Sequence, residues 1–219
     1  LSFGRRGGRA LRVLDVSAHL RNLGGSLGRL MPDDVQMTIE AEPDLRVLAD
    51  ESQLTQVVLN LAINARDALR ERGGHLSLRL GRARRGDVPA GVGPTAASWV
   101  LLEVADDGAG MDEAVRARVF EPFFTTKGLS GTGLGLPTVL AIVERCRGTV
   151  DVQSAPGEGT RVRVFLPESE GPVAPEPAPA IPAAPRSSGT VLLVEDDPAV
   201  LDVLARAVEK AGLAVLRAR

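Results

Sequence analysis

The stretch Asn60-Leu-Ala-Ile-Asn-Ala-Arg-Asp67 decides how this chain is read. Around it, Leu54, Val57, Val58, Leu61, Ala65, Ala68 and Leu69 recur at helical spacing, which predicts one amphipathic helix from about Asp50 to Arg72. Asn60, Asn64 and Asp67 follow one another at intervals of four and three, so they share a face one turn apart, beside the apolar stripe. A polar strip at the edge of a core is where a cleft forms. Two carboxamides there can offer oxygens to a hard cation such as Mg²⁺, which keeps some waters and completes its shell from phosphate. A solvated helix face carrying two asparagines gives the same pattern, so the rest of the chain has to decide.

Upstream, Ala10 to Val16 has the alternation of a short strand. Ser17 can cap a helix running to about Leu30, with Leu20, Leu23, Leu27 and Leu30 inward, although Gly24-Gly25 weakens it. Val35 to Glu40 alternates as a strand, and Arg46 to Ala49 is a second short one. Asp50 with Gln53 makes a capping-box-like start for the asparagine helix, and Gly73-Gly74 ends it.

Downstream, His75 to Leu80 alternates and Ser98 to Ala105 is an apolar run, separated by a polar Gly/Pro-marked loop. Asp106 to Gly133 is long, Gly-rich and only partly periodic, the profile of a functional loop or lid. Leu134 to Arg147 is helical, and two strands, Gly148 to Gln153 and Arg161 to Leu166, flank the hairpin turn Pro156-Gly-Glu-Gly159. The fold class is α/β: a two-layer sandwich over 10–167, with helices on one face of a mixed, mostly antiparallel sheet. Residues 1–9 read as a linker or the end of a preceding helix, and 168–189, dense in Pro and Ala, as an extended linker. Residues 190–219 hold one strand-helix-strand unit, too short to fold alone.

Composition excludes several classes. The 219 residues are 44% hydrophobic and 25% charged with a net charge of -2, which is ordinary for a globular protein and implies no nucleic-acid footprint. A single cysteine forbids an internal disulfide framework and points to a reducing compartment, so a cytoplasmic location is expected. No apolar run reaches transmembrane length, and none of these residues reads as a signal peptide. The chain begins mid-pattern at Leu1 without Met and reads as a piece of a longer protein, whose other parts can carry a membrane anchor.

Four short motifs line up in order: the asparagine helix; Asp106-Asp-Gly-Ala-Gly-Met111 after an apolar strand; Phe120-Glu-Pro-Phe-Phe-Thr-Thr-Lys127; and Gly131-Thr-Gly-Leu-Gly-Leu136 opening a helix. Each alone is weak. In this order they resemble the N, G1, F and G2 boxes of the sensor histidine kinase ATP-binding domain, one of the GHKL group shared with gyrase, heat-shock chaperones and mismatch-repair ATPases. The resemblance covers about Ala10 to Pro167. It implies a protein histidine kinase using ATP and Mg²⁺ in two-component phosphorelay signalling.

What the resemblance implies can be set on individual residues. Asp106, at the end of a buried strand, takes the role of the aspartate that accepts from the adenine amino group; a turn-initiating Asp is the plainer alternative. Gly108 and Gly110 allow close backbone approach to the base and sugar. Asn64 matches the Mg²⁺-binding asparagine, with Asn60 one turn before it and Asp67 on the same face. Gly131, Thr132, Gly133, Leu134 and Gly135 form the G2 loop, whose amides approach the phosphates at a helix N-terminus. Lys127 either reaches the phosphate tail or is a solvated lid lysine. Phe120, Phe123 and Phe124 are expected to clamp the lid. Thr160 matches a threonine that supports Asp106, or is simply a strand residue. Between Lys127 and Gly131 the chain is about a residue shorter than many relatives, and Pro137 stands in the first helical turn, where proline is tolerated.

Kinase or hydrolase turns on Asn60. Hydrolytic GHKL branches place a glutamate there as general base, and a carboxamide cannot take a proton. The phosphoryl group is therefore expected to go to a histidine on a separate dimerisation domain, in a homodimer, and from there to a response regulator. Neither His19 nor His75 stands in an acceptor context, so both read as structural or surface residues. A non-catalytic nucleotide-sensing module, or a hydrolase borrowing a base from elsewhere, are the alternatives. The last segment resembles the start of a response-regulator receiver domain, with Glu195 and Asp196 as its Mg²⁺-binding acidic pair at the end of a strand. The same acids also suit a helix N-terminus.

Overall fold

Alternation and capping account for most of the architecture. The computed structural model describes residues 11–70, 72–83, 86–89, 98–128, 131–173, 189–194, 205, 208–209 and 212–218. The chain divides into two units, Leu1–Ala174 and Pro175–Arg219.

In the first unit, β1 (Arg12–Asp15) pairs antiparallel with β3 (Arg46–Ala49) to make a small two-stranded sheet. The main sheet has five strands: β2 (Val35–Ala41), β4 (Gly74–Ala83), β5 (Trp99–Asp106), β6 (Thr149–Ala155) and β7 (Gly159–Pro167). Their order is β2-β4-β5-β7-β6. Only the β2–β4 pair is parallel, so the sheet is mixed as expected. The helices are α1 (Val16–Gly28), α2 (Glu51–Leu69), the one-turn α3 (Glu113–Arg116) and α4 (Gly135–Arg145).

One face of the sheet and the apolar stripes of α1, α2 and α4 make the core. Leu76, Leu78 and Leu80 of β4, Leu102 and Val104 of β5 and Val164 of β7 are all buried in it, with Val57, Val58 and Leu61 of α2. The opposite face carries charge instead. Glu40, Arg79, Glu103, Arg163 and Asp151 stand at one level, paired strand to strand in alternating sign across all five strands. Because side chains alternate along a strand, this ladder directs Asp106, Thr160 and Ser154 to the helix side.

Local details differ from the sequence-based expectations. The cap of α1 is Asp15, whose Oδ1 accepts from the Ala18 amide at 2.8 Å. Ser17 is fully buried, and its hydroxyl accepts from the Leu45 amide at 3.1 Å, tying α1 to the chain before β3. α1 runs on through Gly24, where a β-carbon would make a tight 3.3 Å contact with the Ile39 side chain of β2. Asp50 does cap α2, accepting from the amides of Ser52 and Gln53. The reciprocal half of the capping box is absent: the Gln53 Oε1 is buried without a partner. Leu30, expected inward, is 37% exposed beyond the end of α1.

The segment after β7 stays on the first unit rather than leaving as linker at 168. Glu168 bridges to Val47, Ser169 donates to the Arg46 carbonyl at 2.8 Å, and the Arg46 guanidinium donates to the Gly171 carbonyl at 2.8 Å. In the second unit β8 (Thr190–Val194) and β9 (Ala214–Ala218) pair in parallel, and Ala205 between them is buried. Glu195 and Asp196 lie outside the described residues.

Candidate functional site

Helix α2 delivers the polar strip. Its apolar positions are fixed in the core, so Asn60, Asn64 and Asp67 emerge half-buried along the edge that faces α4. The Asn60 amide nitrogen donates to the Gly135 carbonyl at 3.3 Å, which turns its oxygen the other way. The Asn64 carboxamide lies under Gly135, about 3.5 Å from where a β-carbon would sit. Helix α4 starts there with Leu134 at its N-cap and no side-chain cap, so the positive end of the helix adjoins both asparagines.

The loop from Asp106 to Met111 is held by its glycines. The Gly108 amide donates to the Asp106 carboxylate at 3.0 Å, and a β-carbon on Gly108 would meet the Ala68 carbonyl at 2.7 Å. Gly110 has φ +66°, and a β-carbon there would fall 1.9 Å from the Ala155 carbonyl. Burial pushes the Asp106 carboxyl up to about 6, the neighbouring Asp107 adds to this, and hydrogen bonds from the backbone of Gly108 and Thr160 restrain it.

Thr160 is the direct cross-strand partner of Asp106, and Ser154 is the partner of Thr160 on the next strand. The Ser154 hydroxyl accepts from the Met111 amide at 2.9 Å, donates to the Gly159 carbonyl at 2.8 Å and lies 3.0 Å from the Thr160 hydroxyl. No motif signalled Ser154. Asp107, next to the aspartate singled out, was missed as well: its carboxylate accepts from the His75 amide at 2.7 Å and braces the loop against β4.

The third and fourth motifs fold together. The Phe123 amide donates to the Gly133 carbonyl at 2.9 Å, and a β-carbon on Gly133 (φ +64°) would sit 2.4 Å from the Phe123 carbonyl carbon. Gly131 packs equally tightly on the Thr125 side chain, and the Thr132 hydroxyl accepts from the Leu134 amide. Phe120 packs on the core and Phe124 lies under the Arg118 guanidinium at 4.1 Å. Phe123 is 75% exposed, so its ring does not clamp the lid as expected; its backbone does. Lys127 reaches back to α2, its ammonium 2.7 Å from Asp67. Burial raises the Asp67 carboxyl, but hydrogen bonds from Lys127 and Arg66 outweigh this and hold it below the usual range.

His19 is turned into the first unit, its Nε2 3.0 Å from the Thr55 hydroxyl, whereas His75 is exposed at the start of β4. Burial lowers the pKa of His19, with Glu51 partly opposing. Among the described residues no helix is long and apolar enough to cross a membrane.

The family model for histidine kinase-, DNA gyrase B-, and HSP90-like ATPases matches residues 49–170, more than half of the chain. The chain belongs to this family, and the relatives it matches are sensor kinases.

The sensor kinase CckA of Brucella abortus (strain 2308) is 38% identical over 233 aligned residues, which is 98% of this chain and 24% of that protein. The sensor histidine kinase ZraS of Klebsiella oxytoca is 38% identical over 134 residues, 61% of this chain and 26% of that protein. The crystal structure of full-length ShkA in complex with AMPPNP superposes with a TM-score of 0.59 at 28% identity, covering 95% of this chain and 40% of that one. The chain thus spans about a quarter of the length of these curated relatives.

Proposed function

We propose that this chain binds Mg²⁺-ATP between α2, the Asp106 loop and the lid, and transfers the γ-phosphoryl group to a histidine on a separate helical dimerisation domain. In this reading Asp106 and Thr160 receive the adenine edge. Gly108 and Gly110 let the backbone close on the base and sugar. Asn64, assisted by Asn60, orients the metal-bound phosphates. The amides of Gly131, Thr132, Gly133, Leu134 and Gly135 meet the phosphates, and Lys127 exchanges Asp67 for phosphate oxygen when nucleotide arrives.

The donor set suits Mg²⁺: carboxamide oxygens beside an uncapped helix N-terminus leave room for phosphate oxygens and water. The cation supplies neutralisation of the charge that develops on the transferring group. The protein's part is positioning, which for phosphoryl transfer is most of catalysis.

The observation that carries the kinase reading is Asn60. Its carboxamide sits where a water-activating base would be needed, with its nitrogen committed to the Gly135 carbonyl at 3.3 Å. The nearest carboxylate on the same helix face, Asp67, is held below the usual carboxylate range, by Lys127 and Arg66 before nucleotide arrives and by Arg66 afterwards, and is a poor proton acceptor. Transfer to a positioned imidazole needs no such base. Incubating residues 1–219 with radiolabelled ATP and Mg²⁺, with and without the helical histidine domain of the full-length protein, tests this. Label is expected on the added domain, with little phosphate released in its absence; fast autonomous hydrolysis overturns the reading.

For the second unit we infer the beginning of a receiver domain, with Glu195 and Asp196 as its acidic pair. The parallel pairing of β8 and β9 is consistent with that start. The partners that follow are a response regulator or receiver and a second copy of the whole kinase.

A further inference from the structure

Ser154 belongs to none of the four motifs, yet it joins three parts of the site. Its hydroxyl has one proton and two lone pairs. The Gly159 carbonyl, 2.8 Å away, can only accept, so the proton of Ser154 points there. The Met111 amide, 2.9 Å away, can only donate, and it takes one lone pair. The remaining contact is the Thr160 hydroxyl at 3.0 Å. With the Ser154 proton committed, Thr160 must be the donor. Its own lone pairs are then what it presents to anything bound beside Asp106, its partner on the adjoining strand.

We propose that Ser154 is a positioning residue that fixes the hydrogen-bond polarity of Thr160, and so makes the pocket select a 6-amino purine over a 6-oxo purine. The inference rests on the nucleotide reading given above. An ionised Asp106 and a Thr160 locked as acceptor together face the base with acceptors only. In this pose both acceptors aim at the 6-position rather than at N1: adenine supplies an N–H to each, whereas the 6-oxygen of hypoxanthine would meet two acceptors and its N1–H faces neither. Without Ser154 the Thr160 hydroxyl is free to rotate and donate, and the penalty on the 6-oxo group falls.

The test is the ratio of affinities for ATP and inosine triphosphate, measured by calorimetry on residues 1–219 with Mg²⁺. The wild type is expected to prefer ATP strongly. Ser154→Ala is expected to lower that ratio by about fivefold to tenfold, the scale of a single hydrogen bond. Ser154→Thr, which keeps the hydroxyl and suits a strand, restores it. In Thr160→Val the ratio no longer responds to Ser154→Ala, because the serine acts through the threonine. A purely structural role would weaken both nucleotides alike and leave the ratio in place.

An unchanged ratio in a Ser154→Ala protein that binds ATP overturns the inference. If that variant does not fold, Ser154→Cys, close in volume with a weak hydrogen-bonding thiol, must lower the ratio, and a wild-type ratio there overturns it. Failure of the wild type to bind ATP at all is a different outcome: it overturns the nucleotide reading itself.

Discussion

The Lys127 ammonium lies 2.7 Å from the Asp67 carboxylate, so the segment ending at Lys127 is tied to the helix that carries Asn60 and Asn64. The pair is partly exposed, with side-chain exposures of 37% and 26%. A pair of this kind contributes about 1 kcal/mol or less. That is enough to bias a loop without locking it. Asp67→Asn is therefore expected to raise amide exchange across 121–128 about threefold in nucleotide-free protein, with the core strands unaffected. Because the Asp67 carboxyl is held below its usual range, the latch is present at neutral pH and is lost only as pH falls through that lowered value. Equal exchange in Asp67→Asn and wild type between pH 6 and 8 would rule the latch out.

In the proposed reading Asp106 ties nucleotide binding to a stability cost. Its carboxyl titrates near 6 in the folded protein against 3.8 ordinarily. Between these values the native state binds more protons than the unfolded chain, so stability falls as pH rises through the window. The full difference is about 2 to 3 kcal/mol at neutral pH, as an upper bound. Asp106→Asn is expected to raise the melting temperature at pH 7.5, flatten its pH dependence between 4 and 7, and abolish ATP binding. Thermal denaturation over that pH range, with ATP titration at neutral pH, checks both halves. A variant less stable than wild type at pH 7.5 would show that ionised Asp106 does not strain the fold.

Much of this was legible in the sequence, for identifiable reasons. The alternation at Leu76, Leu78 and Leu80 marks a strand, and all three side chains are at most 3% exposed. The stripe of α2 and its Asp50 cap are equally local. Strand order was not legible, because pairing β2 with β4 and β5 with β7 joins segments far apart in the chain. The cap of α1 was misassigned because Asp15 and Ser17 are both good caps; burial of Ser17, a tertiary fact, decides between them. Phe123 shows the limit of reading residue type alone, since its backbone at φ +68° does the joining while its ring faces solvent. Ser154 was invisible because its partners come from β7 and from the Asp106 loop.

Asn64 lies under the start of α4, within reach of whatever the helix N-terminus holds. If it orients the cation, ATP affinity in the wild type should depend on Mg²⁺, and Asn64→Ala should erase that dependence. The expected result is a drop of roughly tenfold in affinity with Mg²⁺ present, equivalent to about 1.4 kcal/mol, and little change with EDTA. Titrations of ATP under the two conditions separate this from a general packing defect, which would weaken binding in both.

The glycines of the site divide by what surrounds them, and their substitution should divide the same way. At Gly135 a β-carbon finds only the Asn64 carboxamide, at 3.5–3.6 Å, which is ordinary contact. Alanine there also suits a helix better than glycine, by about 1 kcal/mol at most. At Gly110 the new atom would lie 1.9 Å from the Ala155 carbonyl, on a backbone with φ +66°. No side-chain rotation relieves that, and the loop must move. Gly135→Ala is thus expected to keep or slightly raise stability while weakening ATP binding, because the methyl group intrudes between Asn64 and the helix N-terminus. Gly110→Ala is expected to cost about 2 kcal/mol or more and to release the Asp106 loop. Urea denaturation of the two variants, with ATP titration of Gly135→Ala, reads out the contrast. A stable Gly135→Ala protein with undiminished ATP affinity would place the phosphates away from this helix end.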